Sequence, residues 1–307
     1  MRSRTGHKGR RPACARFGPR RRPTAHTSGV ALISAEELAR RIDDDDVRVV
    51  DVRWYLGQPG MGRAAYEAGH IPGAIFLDLD DDLSDRDGYG APGRHPLPRP
   101  VEFERRLEAA GIGSAHFVVA YDDAGGANAA RLWWMLDNLG HRGGVAVLDG
   151  GIDAWNASQR RRSYDVPNYG PAKLKLRRRW RGVIDRHALS ERREALTLLD
   201  ARAGERYRGE VEPIDPAAGH IPGARSMPFA GNLTDGYFLS ATELRRRFEQ
   251  LAAGQDVVTY CGSGTTACHN SLAMRLAGLP DPILYVGSFS DWSRSGMPIA
   301  TGVEGDD

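Results

Sequence analysis

Cys261 opens the segment Cys261-Gly262-Ser263-Gly264-Thr265-Thr266, which follows the β-branched run 257–260 and precedes a helix-like stretch opening near Ala267. The thiolate of cysteine, not the thiol, is the nucleophile, so the chemistry depends on what holds charge on that sulfur. Two glycines in six residues allow backbone angles that turn successive N–H groups inward, forming a nest for an anion centred on the sulfur. The following helix points its positive end at the same place. Both effects favour the thiolate. The segment therefore predicts a nucleophilic Cys261 in an anion site lined by Gly262, Gly264, Thr265 and Thr266.

A cysteine cradled by amides and followed six residues later by an arginine suits phosphoester hydrolysis, because the guanidinium clamps phosphoryl oxygens. Ala267 occupies that position, so the clamp a cysteine phosphatase of this layout needs is missing. The chemistry that remains is sulfur transfer: attack on a sulfane or thiol sulfur, leaving a persulfide anion on the same amides. Cys268 lies farther along the helix and reads as a packing residue, the other reading being a redox partner to Cys261. Cys14 is the third and last cysteine. Without CxxC spacing, neither a disulfide framework nor a zinc site is supported, and a reducing cytoplasm fits best. No metal or organic cofactor is implied.

The elements that must position this loop occur twice. Gly-His-Ile-Pro-Gly-Ala stands at 69–74 and again at 219–224. Upstream, Val49-Val50-Asp51-Val52-Arg53 corresponds to Leu198-Leu199-Asp200-Ala201-Arg202. Downstream, the run ending Tyr121-Asp122 corresponds to the run ending Tyr260-Cys261, and 149–155 corresponds to 286–292, each ending in tryptophan. Landmarks kept in the same order mark a duplicated domain. Within each half, short β-branched runs alternate with helix-like patterns at 101–110, 131–139, 243–251 and 271–279. The pattern predicts an α/β fold, each half a parallel sheet with helices on both faces. Reactive groups in open α/β sheets sit beyond the carboxyl ends of strands, which is where Asp122 and Cys261 fall.

The 307 residues suit two domains, at 29–158 and 182–307, joined by a Pro-, Gly- and Arg-rich linker at 159–181. Hydrophobic residues at 41% and charged residues at 27% are those of a water-soluble globular protein. No run of eighteen apolar residues offers a membrane span. Net charge is +2, yet residues 1–28 hold Arg2, Arg4, Lys8, Arg10, Arg11, Arg16, Arg20, Arg21 and Arg22 and no acid. Such an arm suits nucleic acid or a transit peptide, but it lacks apolar periodicity and reads as a disordered tail. No nucleic-acid or membrane partner is expected.

On these residues the chain resembles the tandem-domain rhodanese family. The loop Cys-Gly-Ser-Gly-Thr-Thr-Ala is similar to that of its 3-mercaptopyruvate sulfurtransferase branch, with Thr265 where valine is usual, and the resemblance covers about residues 30 to 302. It implies two rhodanese-like domains, the first inactive, with Asp122 where the second has Cys261. It implies transfer of sulfur from 3-mercaptopyruvate, through a Cys261 persulfide, to cyanide or to a thiol acceptor such as a thioredoxin-like protein or a low-molecular-weight thiol. A triad of Ser263 with His95 and Asp80 from the first domain follows from the same resemblance, as does a substrate carboxylate held by Arg206. The triad has a physical logic, since His takes a proton from serine and Asp fixes its tautomer. The thiosulfate branch has basic residues just after the cysteine where this chain has Gly262 and Ser263. The family's second substrate arginine is replaced by Ile214, so thiosulfate stays open as an alternative donor. A non-catalytic binding module, as many single rhodanese domains are, is the rival of a different class.

His70 and His220 lie inside the repeated hexapeptide, one in each half, and are expected to bond backbone in equivalent turns. The pairs Asp51 with Arg53 and Asp200 with Arg202 are expected to be structural for the same reason. Trp133 and Trp134 read as core or interdomain packing.

Overall fold

A computed structural model describes residues 31–85, 93–251 and 255–303; the basic segment 1–28, with Cys14, lies outside them. The first half runs β1 (Leu32–Ile33), α1 (Ala35–Arg41), β2 (Val47–Asp51), α2 (Met61–Glu67), β3 (Ile75–Phe76), α3 (Pro100–Ala109), β4 (Phe117–Tyr121), α4 (Ala129–Asn138), β5 (Val145–Leu148) and α5 (Gly151–Ala157). The second half continues with β6 (Val183–Ile184), α6 (Arg186–Arg192), β7 (Leu196–Asp200), α7 (Gly204–Arg208), β8 (Ala224–Ser226), β9 (Leu233–Thr234), β10 (Tyr237–Phe238), α8 (Ala241–Phe248), β11 (Asp256–Tyr260), α9 (Thr266–Leu276), β12 (Ile283–Tyr285) and α10 (Ser288–Trp292). The sheets are ordered β1-β5-β4-β2-β3 and β6-β12-β11-β7-β8, with every neighbouring pair parallel. The two orders are equivalent strand for strand. Strands β4 and β11 lie inside their sheets, where cover on both faces favours continuous apolar runs.

The repeated hexapeptide closes the same network in each half. Asp51 accepts the Arg53 guanidinium (Nη2 at 2.6 Å) and the Tyr121 hydroxyl (2.6 Å), while Arg53 Nη2 also donates to Gly69 O at 3.0 Å. In the second half Asp200 accepts Arg202 Nη2 at 2.6 Å, and that nitrogen donates to Gly219 O at 2.6 Å. The tyrosine hydroxyls accept the Ile71 and Ile221 N–H groups, each at 3.2 Å. His70 and His220 stack on Tyr66 and Tyr207 and place Nδ1 at 2.9 and 2.8 Å from those tyrosines' carbonyl oxygens. These buried charges are tolerable because each is paired and hydrogen-bonded. The hexapeptide is thus a piece of scaffold, as its presence in both halves predicts.

One apolar cluster runs through both halves, from Val118, Leu132 and Trp134 to Leu244, Leu272 and Met274. Helices α4 and α9 face each other across it. Each follows one of the matching strand-end loops, so the interface brings those loops together. Arg275 of α9 donates to Asp137 of α4 at 3.0 Å and lies over the Trp133 ring. The segment at 159–181, expected as a linker, straps the first half: Ser163 bridges His70, Leu174 and Leu176 are buried, and Trp180 stacks on Trp134. Its mixed composition reflects a chain paired with its own domain outside the main sheet. Helix α9 begins at Thr266, beside the opening near Ala267 that the sequence predicts, and its buried first turns carry His269 and Asn270 ahead of the apolar pattern at 271–279. No helix among the described residues is long and apolar enough to cross a membrane.

The antiparallel hairpin β9–β10 belongs to the second half but reaches the first, where Phe238 N–H donates to the Asp149 carboxylate at 2.9 Å. Phe238 stacks on His269, whose Nε2 lies 3.1 Å from Gly125 O of the first half. Burial pushes the His269 pKa down to about 4, against the bond to Gly125. An unfolded histidine titrates near 6.5, so the unfolded chain takes up this proton first as pH falls, and stability is lost between pH 6.5 and 4. Acidification from pH 7.5 to 5 should remove about 2 kcal/mol through this residue. Urea unfolding of His269→Asn should therefore depend less steeply on pH than that of the parent protein; equal dependence would contradict this account.

Candidate active site

At the end of β11 Cys261 is nearly buried, 2% exposed, and its sulfur accepts the N–H groups of Ser263 at 3.4 Å and Gly264 at 3.1 Å. Its main chain is pinned by the repeat landmark at 286–292. Cys261 N–H donates to Ser288 Oγ (3.2 Å), Phe289 N–H to Cys261 O (2.9 Å) and Ser290 N–H to Gly262 O (2.9 Å). Gly264 has φ +82°, and a Cβ there would lie 2.6 Å from Val286 O, so only glycine fits this turn. Thr265 and Thr266, expected around the anion, line the cavity without bonding the sulfur. The nest is thus narrower than the loop composition suggests: two amides hold the sulfur, and the start of α9 lies behind them.

The matching loop of the first half shows the same device with a different occupant. Asp122 is fully buried; its Oδ1 accepts Ala124 and Gly126 N–H groups (2.9 and 2.8 Å) and its Oδ2 those of Asn128 and Ala129 (2.7 and 2.8 Å). Burial raises the Asp122 pKa, and the four amides oppose it by favouring the carboxylate.

His95 and Asp80, which lie in loops of the first half, meet Ser263 of the second. His95 Nδ1 is 2.8 Å from Ser263 Oγ, and Nε2 is 3.0 Å from Asp80 Oδ1. A carboxylate can only accept, so Nε2 carries the proton and Nδ1 receives the serine hydroxyl. Burial first, then the Arg131 and Arg94 charges, lower the His95 pKa below its ordinary 6.5 despite Asp80. The ring is neutral at pH 7. Trp54 donates Nε1–H to Asp80 Oδ2 at 2.9 Å and sits edge-on to the His95 ring.

Arg206 lines the cavity but is already engaged: its Nη2 donates to Glu212 at 2.7 and 3.0 Å and to Asp215 at 3.4 Å. A cavity of about 250 Å³ opens onto Cys261, with Trp54, Arg94, Arg206, Ile214 and Phe229 in its wall.

Sequence reasoning missed Trp54, Arg94, Ser288 and Arg131. Arg131 had a visible signal, an arginine inside the otherwise apolar helix 129–136, where a charge is rarely buried without a function. It is fully buried, and it donates only to carbonyls: Gly264 O (3.1 Å), His95 O (2.9 Å) and Leu83 O (3.2 Å). Burial lowers its pKa. Cys268 donates its thiol to Gly264 O at 3.4 Å, and burial pushes its pKa up to about 12, so it is a neutral packing thiol. Arg131→Met should slow iodoacetamide alkylation of Cys261 at pH 7 by about tenfold, through loss of the buried cation beside the Cys261 loop. An unchanged rate in the folded variant would limit Arg131 to holding loops together.

The rhodanese-like domain profile matches residues 34–158 and 185–295. A Pseudomonas aeruginosa protein named as a probable 3-mercaptopyruvate sulfurtransferase is 46% identical over 282 residues, spanning 90% of this chain and 99% of its own length. The thiosulfate sulfurtransferase of Cricetulus griseus is 33% identical, spanning 87% of this chain and 93% of its own. The structure of 3-mercaptopyruvate sulfurtransferase from Leishmania major superposes with a TM-score of 0.76 at 31% identity, covering 88% of this chain and 75% of that one. With the domain profile matched once in each half and relatives aligned across both, this chain belongs to the rhodanese family as a tandem of two rhodanese-like domains.

Proposed function

We propose that the chain is a sulfurtransferase that takes sulfur from 3-mercaptopyruvate through Cys261 and passes it to a thiol acceptor, a thioredoxin-like protein or a small thiol, or to cyanide. The observation that carries this reading is the bond from Ser263 to a neutral His95 beside the amide-held sulfur. The Cys261 thiolate attacks the donor sulfur, an S–S bond forms, and the C–S bond breaks with its electron pair leaving on the pyruvate enolate. The proton that entered on the donor thiol is shed by the new persulfide to the Ser263–His95 pair and returned to the enolate carbon. Asp80 holds Nε2–H throughout and stabilises the transient imidazolium. Pyruvate departs, and a persulfide anion stays on the amides of Ser263 and Gly264. The acceptor's thiolate then takes the outer sulfur, restoring the Cys261 thiolate.

In this reading the first half is inactive, because Asp122 fills the position of the nucleophile, yet it supplies His95 and Asp80. Two unpaired buried cysteines, Cys261 and Cys268, suit a reducing cytoplasm. Thiosulfate is the second reading, favoured by the named relative that uses it and by the apolar Ile214 in the cavity wall. Thiosulfate leaves sulfite rather than an enolate and needs no proton returned to carbon.

That difference gives the test. Ser263→Ala and His95→Ala should each lower kcat with 3-mercaptopyruvate by about a hundredfold, the usual scale of general acid–base catalysis, and affect thiosulfate far less. Equal losses with both donors in steady-state assays would remove the relay from the mechanism. Intact-mass measurement should show one added sulfur atom on the protein after either donor, and none on Cys261→Ser.

A further inference from the structure

The His95 ring presents its Nδ1 to two hydroxyl groups, not one. Ser263 Oγ lies 2.8 Å away and Thr265 Oγ1 lies 3.4 Å away. An imidazole nitrogen has a single lone pair or a single proton to share, so the shorter contact holds at rest and the longer stands at the outer limit of a bond. The rest of the ring is fixed, with Nε2 on Asp80 and Trp54 edge-on to it. Thr265 reaches this position because it forgoes the usual task of a threonine before a helix. Ser34, Asp185 and Ser240 each turn a side-chain oxygen back onto the first turn of α1, α6 and α8. Thr265 precedes α9 with φ −88° and ψ −65°, a helical rather than extended backbone, and makes no such cap. The Cys268 N–H bonds the Thr265 carbonyl oxygen instead, at 3.0 Å. Thr265 is buried, lines the cavity that contains Cys261, and has its hydroxyl on His95.

We propose that Thr265 is a positioning residue of the proton relay, its hydroxyl taking over His95 Nδ1 when Ser263 turns to the donor. The inference rests on the sulfurtransferase reading above, in which Ser263 passes a proton between the persulfide, the ring and the enolate carbon. One hydroxyl cannot hold Nδ1 and present its hydrogen to carbon at the same moment. Without a second partner the ring would carry an unmet buried nitrogen while neutral, or an unmet buried N–H while charged, and either is costly. A threonine hydroxyl meets both states: it donates to the neutral nitrogen and, by rotating its hydrogen, accepts from the protonated one. No covalent bond forms or breaks at Thr265, which ends each turnover with the proton it began with. Asp80 keeps the ring oriented while Nδ1 changes partners.

Nitrogen-15 NMR of the histidine-labelled protein reads the partner of Nδ1 with no donor present, the His95 signals being assigned by their loss in His95→Asn. In Ser263→Ala the Nδ1 signal should stay near its position in the parent protein, held by Thr265. In Ser263→Ala/Thr265→Val it should shift to that of an unbonded nitrogen. The full shift in Ser263→Ala alone would overturn the proposal. With 3-mercaptopyruvate, Thr265→Val should lower kcat about tenfold, the scale of one lost hydrogen bond, and leave KM within about twofold, because Thr265 holds the ring and not the donor. Thiosulfate turnover, which returns no proton to carbon, should fall less. Thr265→Ser keeps the hydroxyl and should restore kcat, and Thr265→Val should cost a further loss when added to Ser263→Ala. An unchanged kcat in Thr265→Val, or no recovery in Thr265→Ser, would assign Thr265 to packing and overturn the proposal. If the NMR shifts appear as expected but the parent protein does not turn over 3-mercaptopyruvate, the exchange of hydroxyls on His95 stands and the donor assignment falls.

Discussion

A negative charge at the end of a buried strand has to be held by groups that do not titrate, and this need organises the molecule. Backbone N–H groups fill that role at both strand ends. Four of them hold the Asp122 carboxylate, and two hold the Cys261 sulfur. A carboxylate brings two oxygens with several lone pairs and fills its loop as a permanent occupant. A sulfur atom is one larger and softer acceptor that can take a second sulfur. In the proposed reading the same loop architecture is therefore structural in one half and open to chemistry in the other.

The groups around Cys261 come from both halves. Ser263 and the amides belong to the second, whereas His95, Asp80, Trp54, Arg94 and Arg131 belong to the first. Arg131 joins them from within, because one guanidinium bonds the carbonyls of both His95 and Gly264. A cation bound only to neutral carbonyls keeps its field available to nearby sulfur, which an arginine paired with a carboxylate does not. Arg202 illustrates the contrast: locked to Asp200, it holds the scaffold.

What the sequence discloses is local or repeated. The Cys261 loop can be read because glycine, serine and the strand before it are neighbours in the chain, and the scaffold role of His70 and His220 because duplication separates what both halves need from what one half uses. The meeting of His95, Asp80 and Ser263 is legible only through family resemblance. No periodicity connects residues about 170 positions apart. Arg94 stays hidden because its partners Ser290 and Asp215 lie in the other half, and Trp54 because its partner Asp80 is 26 positions away in the chain. Arg206 shows the limit from the other side: its place in the cavity is foreseen, but its engagement by Glu212 and Asp215 is a matter of side-chain geometry within a turn. The strap at 159–181 is likewise invisible as a packed element, since it pairs through single bridges and two buried leucines.

The division of the site also bears on how the protein is made. During synthesis the first half emerges first, its strand-end site filled by Asp122 from its own loop. The second half follows with a thiol that has its two amides but neither the Arg131 cation nor the His95 ring. Arg131 and His95 reach the Cys261 loop only when α4 and α9 come together. In the proposed reading, the surroundings on which the chemistry of Cys261 depends are therefore assembled only once the two halves have docked.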